Sequence, residues 1–281
     1  MRSKMYAVIM LLIATLFWGS TFPIMKVAIE SLDPILFTAL RFLVATLVLL
    51  IFFRRKVNYE KHYISFGLIL SLTLVIGHIT QIEGLKYTTP TKSAFITAMY
   101  VAFVPITSYM LIHEKPSTLQ IISLGLAMFG LYLLTSPKSH GFNVGDLLTV
   151  LCAISFAFQI TLVHKYSRDM DPLSLTFWET LFTFAFTFPL GLCIGSQDIP
   201  NINIFSILAI LYIGIFPTAL AFFIQMSYQK LLSSTSASLI YAMEPVFGHA
   251  FSFIFLGDRL SPIGYVGAVL IVMAMIIGNK S

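Results

Sequence analysis

Ten apolar stretches follow one another along the chain with little room between them. They are Met5–Met25, Pro34–Phe53, Tyr63–Ile82, Ser93–Ile112, Ser117–Thr135, Gly145–Val163, Pro172–Ile194, Phe205–Tyr228, Ser236–Leu256 and Pro262–Gly278. About 20 apolar residues are enough for a helix to cross the hydrocarbon core of a bilayer. Only 10% of the 281 residues are charged and 58% are hydrophobic, whereas a soluble domain carries about 25% charged residues. A water-soluble fold of this size has no interior large enough to hide so many Leu, Ile and Phe side chains. The pattern predicts an all-α polytopic membrane protein of ten transmembrane helices in the lipid bilayer.

The ends of these stretches carry helix punctuation. Asp33-Pro34, Asp171-Pro172 and Ser261-Pro262 each place a capping side chain before a proline at the first helical position. Basic residues then suggest the orientation. With a cytoplasmic N-terminus, eleven fall inside (Arg2, Lys4, Arg54, Arg55, Lys56, Lys61, Lys115, Lys165, Arg168, Lys230, Lys280) and five outside (Lys26, Lys86, Lys92, Lys138, Arg259). Both termini are therefore expected in the cytoplasm of a plasma (inner) membrane protein. The net charge of +5 is a topology signal and not a nucleic-acid footprint. Cys152 and Cys193 both lie in apolar runs without a Cys-x-x-Cys partner, which argues against a metal site or a structural disulfide. Met5–Met25 is too long for a signal peptide and lacks a small-residue cleavage site.

An echo runs through the sequence. Gln81–Thr118 reappears 144 residues later as Gln225–Pro262: Gln81 matches Gln225, Lys86 matches Lys230, Ala98-Met99 matches Ala242-Met243, and Phe103 matches Phe247. At a smaller offset of 138, Asp33-Pro34 matches Asp171-Pro172, Trp18 matches Phe156, Thr21 matches Gln159, and Arg41 matches Glu179. The change of offset places six extra residues in the second half, in its longer spans and the loop Gly195 to Asn203. Five spans per half is an odd number, so the second half would enter the membrane inverted. The expected units are 1–140 and 141–281, divided at the polar link Ser136–Gly141.

Polar side chains at membrane depth are costly and mark functional positions by default. Here they are Arg41, His78, Gln81, Gln159, Glu179, Gln225, Glu244 and His249. Glu244 stands directly before Pro245, with Tyr241 one turn earlier on the same face. The matching positions in the first half are Tyr100 and Thr97, so only the second half has an acid there. His78 shares a face with Gln81, Trp18 with Thr21, and Ser155 with Gln159. The expected substrate-binding set is Trp18, Thr21, His78, Gln81, Tyr100, Gln159, Gln225, Tyr241 and Glu244, with Glu244 as the proton-coupling carboxylate. Bland readings compete: a buried polar group can satisfy backbone freed by a proline, and Arg41 can snorkel to the interface. The loop acids Glu114 and Asp258 fit structural pairing. No second His follows His113-Glu114, and no Gly-x-x-x-x-Gly-Lys-Ser/Thr phosphate loop occurs. No catalytic residue, metal or cofactor is expected.

Several of these segments resemble the EamA-type, ten-helix branch of the drug/metabolite transporter superfamily. The likeness lies in Trp18-Gly19-Ser20-Thr21-Phe22, Lys26 and Arg41-Phe42, then in the run from Tyr212 to Phe222, Ala237-Ser238-Leu239, Glu244-Pro245-Val246-Phe247, and Gly257 to Pro262. It implies two inverted five-helix repeats in which helices 1, 3, 4, 6, 8 and 9 surround a cavity and helices 5 and 10 stand apart. It also implies export of amino acids, other metabolites or drugs by alternating access. Pro217 departs from the family's usual small residue and should bend helix 8.

Aromatic walls and neutral amides without a basic cluster suit a neutral or zwitterionic metabolite. The expectation is a secondary transporter, an exporter, with a small-molecule substrate and protons as the candidate coupling ion. An uptake carrier for a cofactor or nucleotide-like metabolite is the alternative, and a non-transporting membrane scaffold is another. Oligomeric state is not legible.

Overall fold

The computed structural model describes residues 2–28, 31–88, 90–135, 141–195 and 203–280, all helix and connecting turns without a strand among them. The polar link 136–140 and most of the loop after Gly195 fall outside these described residues.

Nine helical stretches among the described residues are long and apolar enough to cross a membrane: span 1 (Ser3–Ala28), span 2 (Pro34–Phe53), span 3 (Lys61–Gly84), span 4 (Lys92–Ile112), span 5 (Thr118–Thr135), span 6 (Val144–Tyr166), span 7 (Pro172–Ile194), span 8 (Ile204–Leu231) and span 9 (Ser234–Leu256). Span 10 (Pro262–Gly278) has 17 residues, about 25 Å of helix. The spans start where the capping side chains predict. Asp33 accepts from the backbone N–H groups of Ile35 and Leu36, Asp171 from that of Ser174, and Ser261 from that of Gly264. Span 6 adds a reciprocal box in which Asn143 and Asp146 each accept from the other's backbone N–H.

Two spans are broken within the bundle. Span 4 consists of Pro90–Ala98 and Tyr100–Ile112, interrupted at Met99. Span 9 consists of Ser234–Tyr241 and Glu244–Leu256, interrupted at Ala242 and Met243. Both then end on a left-handed residue, His113 with φ 55° and Gly257 with φ 72°. The closing bonds match too: Glu114 N donates to Ser108 O at 3.3 Å, and Asp258 N donates to Ser252 O at 3.4 Å. These pairs lie at the 144-residue offset.

Span 8 is distorted differently. Its middle, Gly214–Leu220, winds as a π-helix around Pro217, where Thr218 Oγ1 donates to Ile213 O five residues back at 2.8 Å. Trp18 Nε1 donates to the Pro217 carbonyl at 2.9 Å. A neighbouring span thus satisfies a carbonyl near the proline distortion, as buried membrane backbone requires.

Spans 5 and 10 do not stand apart from the rest. They pack on each other through Gly130 and Gly267, where a Cβ on Gly130 would come within 2.8 Å of the Gly267 carbonyl. Close approach of this kind needs glycine on both sides. Gln120 of span 5 also donates to Ser233 and Ser236 at the start of span 9, both at 2.9 Å. Arg41 likewise does not snorkel. Its guanidinium turns into the bundle, with Nη2 3.0 Å from His78 Nε2.

Candidate functional site

Two polar groups occupy the middle of the bundle, separated by rings. The first is a chain of three amides, one acid and one phenol linking spans 6, 7, 8 and 9. Gln159 Nε2 donates to Glu179 Oε1 at 3.1 Å, and Gln225 Nε2 donates to Gln159 Oε1 at 3.3 Å. Gln225 Nε2 also donates to Gln229 Oε1 at 3.0 Å, and the Tyr241 hydroxyl donates to that oxygen at 2.9 Å. Gln229 Nε2 closes the chain on the Ile160 carbonyl. Every member is buried. Yet Glu179 Oε2 and Gln225 Oε1 are buried without a hydrogen-bond partner.

The second group is half-buried and gathers spans 2, 3, 4 and 9. Arg41 lies against His78, with its guanidinium 5.1 Å from the Phe42 ring centroid. The imidazole Nε2 must accept there, because a guanidinium only donates. Gln81 Nε2 donates to Thr97 Oγ1 at 3.2 Å. Glu244 heads the second piece of span 9, and the positive field of Arg41 reaches it. No ion pair of 4.0 Å or less joins the two among the described residues.

Aromatic rings divide the groups. Trp18 meets Tyr241 at 5.2 Å and Phe222 at 5.9 Å, edge to face. Phe42 lies 6.0 Å from Phe222, and His78 lies 5.4 Å from Phe156. Six spans therefore converge on one aromatic layer. Such contacts between rings add about 0.5–1.5 kcal/mol each beyond burial.

The predicted residues distribute unevenly over this layout. Trp18, His78, Gln81 and Glu244 are half-buried, and Gln159, Gln225 and Tyr241 belong to the sealed chain. Gln81 and Gln225, matched in sequence, hold different partners and do not bond to each other. Tyr100 is buried in the apolar cluster shared by spans 1, 4, 5, 6, 8, 9 and 10. Thr21 spends its hydroxyl on the Trp18 carbonyl of its own helix, at 2.7 Å. Arg41 bonds to His78 while Glu179 bonds to Gln159, so the matched opposite charges form no pair. Gln229 was not among the expected residues. It stands one turn after Gln225 on the same face, but its counterpart 144 residues earlier is Leu85, so a search for matched pairs passes over it. Among the described residues, no cluster of three or more His, Cys, Asp or Glu could hold a metal ion.

A bundle of apolar spans with polar groups held at its centre defines a polytopic membrane protein. The chain belongs to the EamA-like transporter family, whose pattern matches residues 5–136 and again 143–279. An Archaeoglobus fulgidus protein described as an uncharacterized transporter is 34% identical over 98% of this chain and 86% of its own length. An Escherichia coli K12 protein named as a probable amino-acid metabolite efflux pump is 24% identical over 96% of this chain and 93% of its own. One solved crystal structure superposes with a TM-score of 0.82 over 98% of both chains, at 19% identity. That likeness concerns the fold alone.

Proposed function

We propose that the chain is a secondary transporter that exports a small neutral or zwitterionic organic solute, of amino-acid type, by alternating access. The observation that carries this reading is the Arg41–Glu244 arrangement. A guanidinium and a titratable carboxyl share a half-buried region between aromatic walls without closing on each other. A solute bearing a carboxylate and an ammonium can bridge them and give each buried charge a partner. The efflux pump among the relatives supports the class of solute and the outward direction.

In this reading the half-buried group is the solute site, and the sealed chain Gln159–Gln225–Gln229–Tyr241 is the closed gate. The two halves, 1–140 and 141–281, act as inverted repeats that rock against each other, with both termini cytoplasmic in the plasma membrane. Glu244 exchanges a proton as the site changes sides. The test is flux in proteoliposomes over labelled amino acids, vitamins and cationic dyes. Counterflow of at least one amino acid is expected, competed by its unlabelled form. Flux of none of these solutes by a folded protein would overturn the reading.

A further inference from the structure

The half-buried group places its carboxyl, Glu244, in the same region as the guanidinium of Arg41. The sealed group gives its own carboxylate nothing comparable. Glu179 is 0% exposed, and one of its oxygens holds the Gln159 amide while the other has no partner. Spans 2 and 3 also pack on span 7, and their polar groups face each other: Arg41 of span 2 bonds to His78 of span 3 and makes no ion pair with Glu179. On span 6 the neighbouring group is the neutral Gln159, and His164 is already bonded to Arg168. On span 8 the facing side chains are Gln225 and Gln229, both neutral. Lys165 and Lys230, at the far ends of those spans, make no ion pair with Glu179.

A carboxylate charge sealed from water and from cations is costly at membrane depth. A second bare acceptor, Gln225 Oε1, belongs to the same chain of hydrogen bonds, joined to Glu179 through Gln159. Buried acceptors without donors call for an occupant, and the carboxylate among them favours a positive one.

We infer that Glu179 and Gln225 form a monovalent-cation site, taking H⁺ or Na⁺, distinct from the Arg41–Glu244 region. The cation neutralises Glu179 while the chain of amides is closed, and opening of the chain releases it. The inference does not depend on the identity of the solute.

The test uses the purified full-length chain in detergent with two probes. For protons, infrared difference spectra between acid and alkaline pH should show the carbonyl band of a protonated carboxyl that survives in Glu244→Gln and is lost in Glu179→Gln. Glu179→Asp should keep the band and shift its position. For sodium, Na⁺ but not choline should raise the melting temperature of the wild type. Glu179→Gln should abolish that rise, and Gln225→Leu should weaken Na⁺ binding at least tenfold or, where the occupant is a proton, shift the carboxyl band. A positive result in either arm upholds the site and names its ion. A folded wild type with neither a Glu179-dependent band nor a Na⁺-dependent rise overturns it. If Glu179→Gln does not fold, Glu179→Asp and Gln225→Leu decide: a wild-type band that Asp leaves unshifted, together with a Na⁺ rise that Leu leaves unchanged, also overturns it.

Discussion

Spans 4 and 9 break at matching residues, close on matching left-handed caps, and carry different chemistry. At the break, span 9 has Tyr241 and Glu244 where span 4 has Thr97 and Tyr100. A proline follows the break at once in span 9, as Pro245, whereas the first proline after the break in span 4 is Pro105, six residues beyond Met99. The same interruption therefore forms without an acid and without a proline beside it. Glu244 is thus not needed to hold the broken backbone, which weakens the bracing account and leaves a chemical role as the better explanation. The starts of the two spans differ as well. Lys92 of span 4 is tied to Asp146 at 2.6 Å, with Asp146 fully buried, and the same position of span 9 is Ser236, held by the neutral Gln120.

The largest contrast should appear at those starts. Asp146→Ala removes the acid that holds Lys92, Thr88 and the Asn143 backbone, and should cost about 3–5 kcal/mol. Gln120→Ala should cost only about 1–3 kcal/mol. Unfolding of the two variants in detergent would measure both, and equal costs would remove the distinction between the two starts. Next comes the break itself. Glu244→Gln keeps shape and hydrogen bonding but cannot titrate, so pH-driven accumulation should fall at least tenfold, about 1.4 kcal/mol, and by more than solute exchange falls at saturating solute. Retention of full accumulation would rule out Glu244 as the proton site.

The caps offer a smaller test with opposite signs. Gly257→Ala puts a Cβ into left-handed backbone and should destabilise by about 1 kcal/mol. His113→Gly relieves that strain and should gain up to about 1 kcal/mol, read as shifts of the melting temperature in opposite directions. Smallest of all is Pro245→Ala, expected within about 0.5 kcal/mol of wild type. A loss of several kcal/mol there would show that the two breaks do not share a cause.

Most of the fold was legible because apolar length and capping chemistry are local. Asp33, Asp171 and Ser261 mark the starts of spans 2, 7 and 10 without any tertiary information. The breaks at Met99 and Met243 were not legible, since nothing in Ala98-Met99 or Ala242-Met243 lowers apolarity. The identity of those residues in both halves was the trace they left. Polar candidates were found by type, and their partners were not. Arg41 could be read as reaching outward because its seven-residue depth allows snorkelling, and only packing beside span 3 shows His78 within its reach. Gln229 and Asp146 lay near span ends, where polar residues are ordinary, so burial alone distinguishes them.

The π-wound middle of span 8 sets a phase. Each residue of an α-helix advances the face by about 100°, and a widened turn inserts extra sequence without a matching advance along the axis. Before it, Ala209, Ile210 and Ile213 pack toward spans 1 and 2. After it, Ile224 joins a different apolar cluster, and Gln225 meets Gln159. The span behaves as two helices joined by a rotary offset, and the offset decides which side chains point inward at the closed end. Loss of one residue between 214 and 220 lets the widened turn close to an ordinary one with Gln225 and Gln229 still facing their partners, whereas loss of one residue between 221 and 224 would turn both away by about 100°. Within such a span, an insertion or deletion retunes the central chemistry as surely as a substitution does.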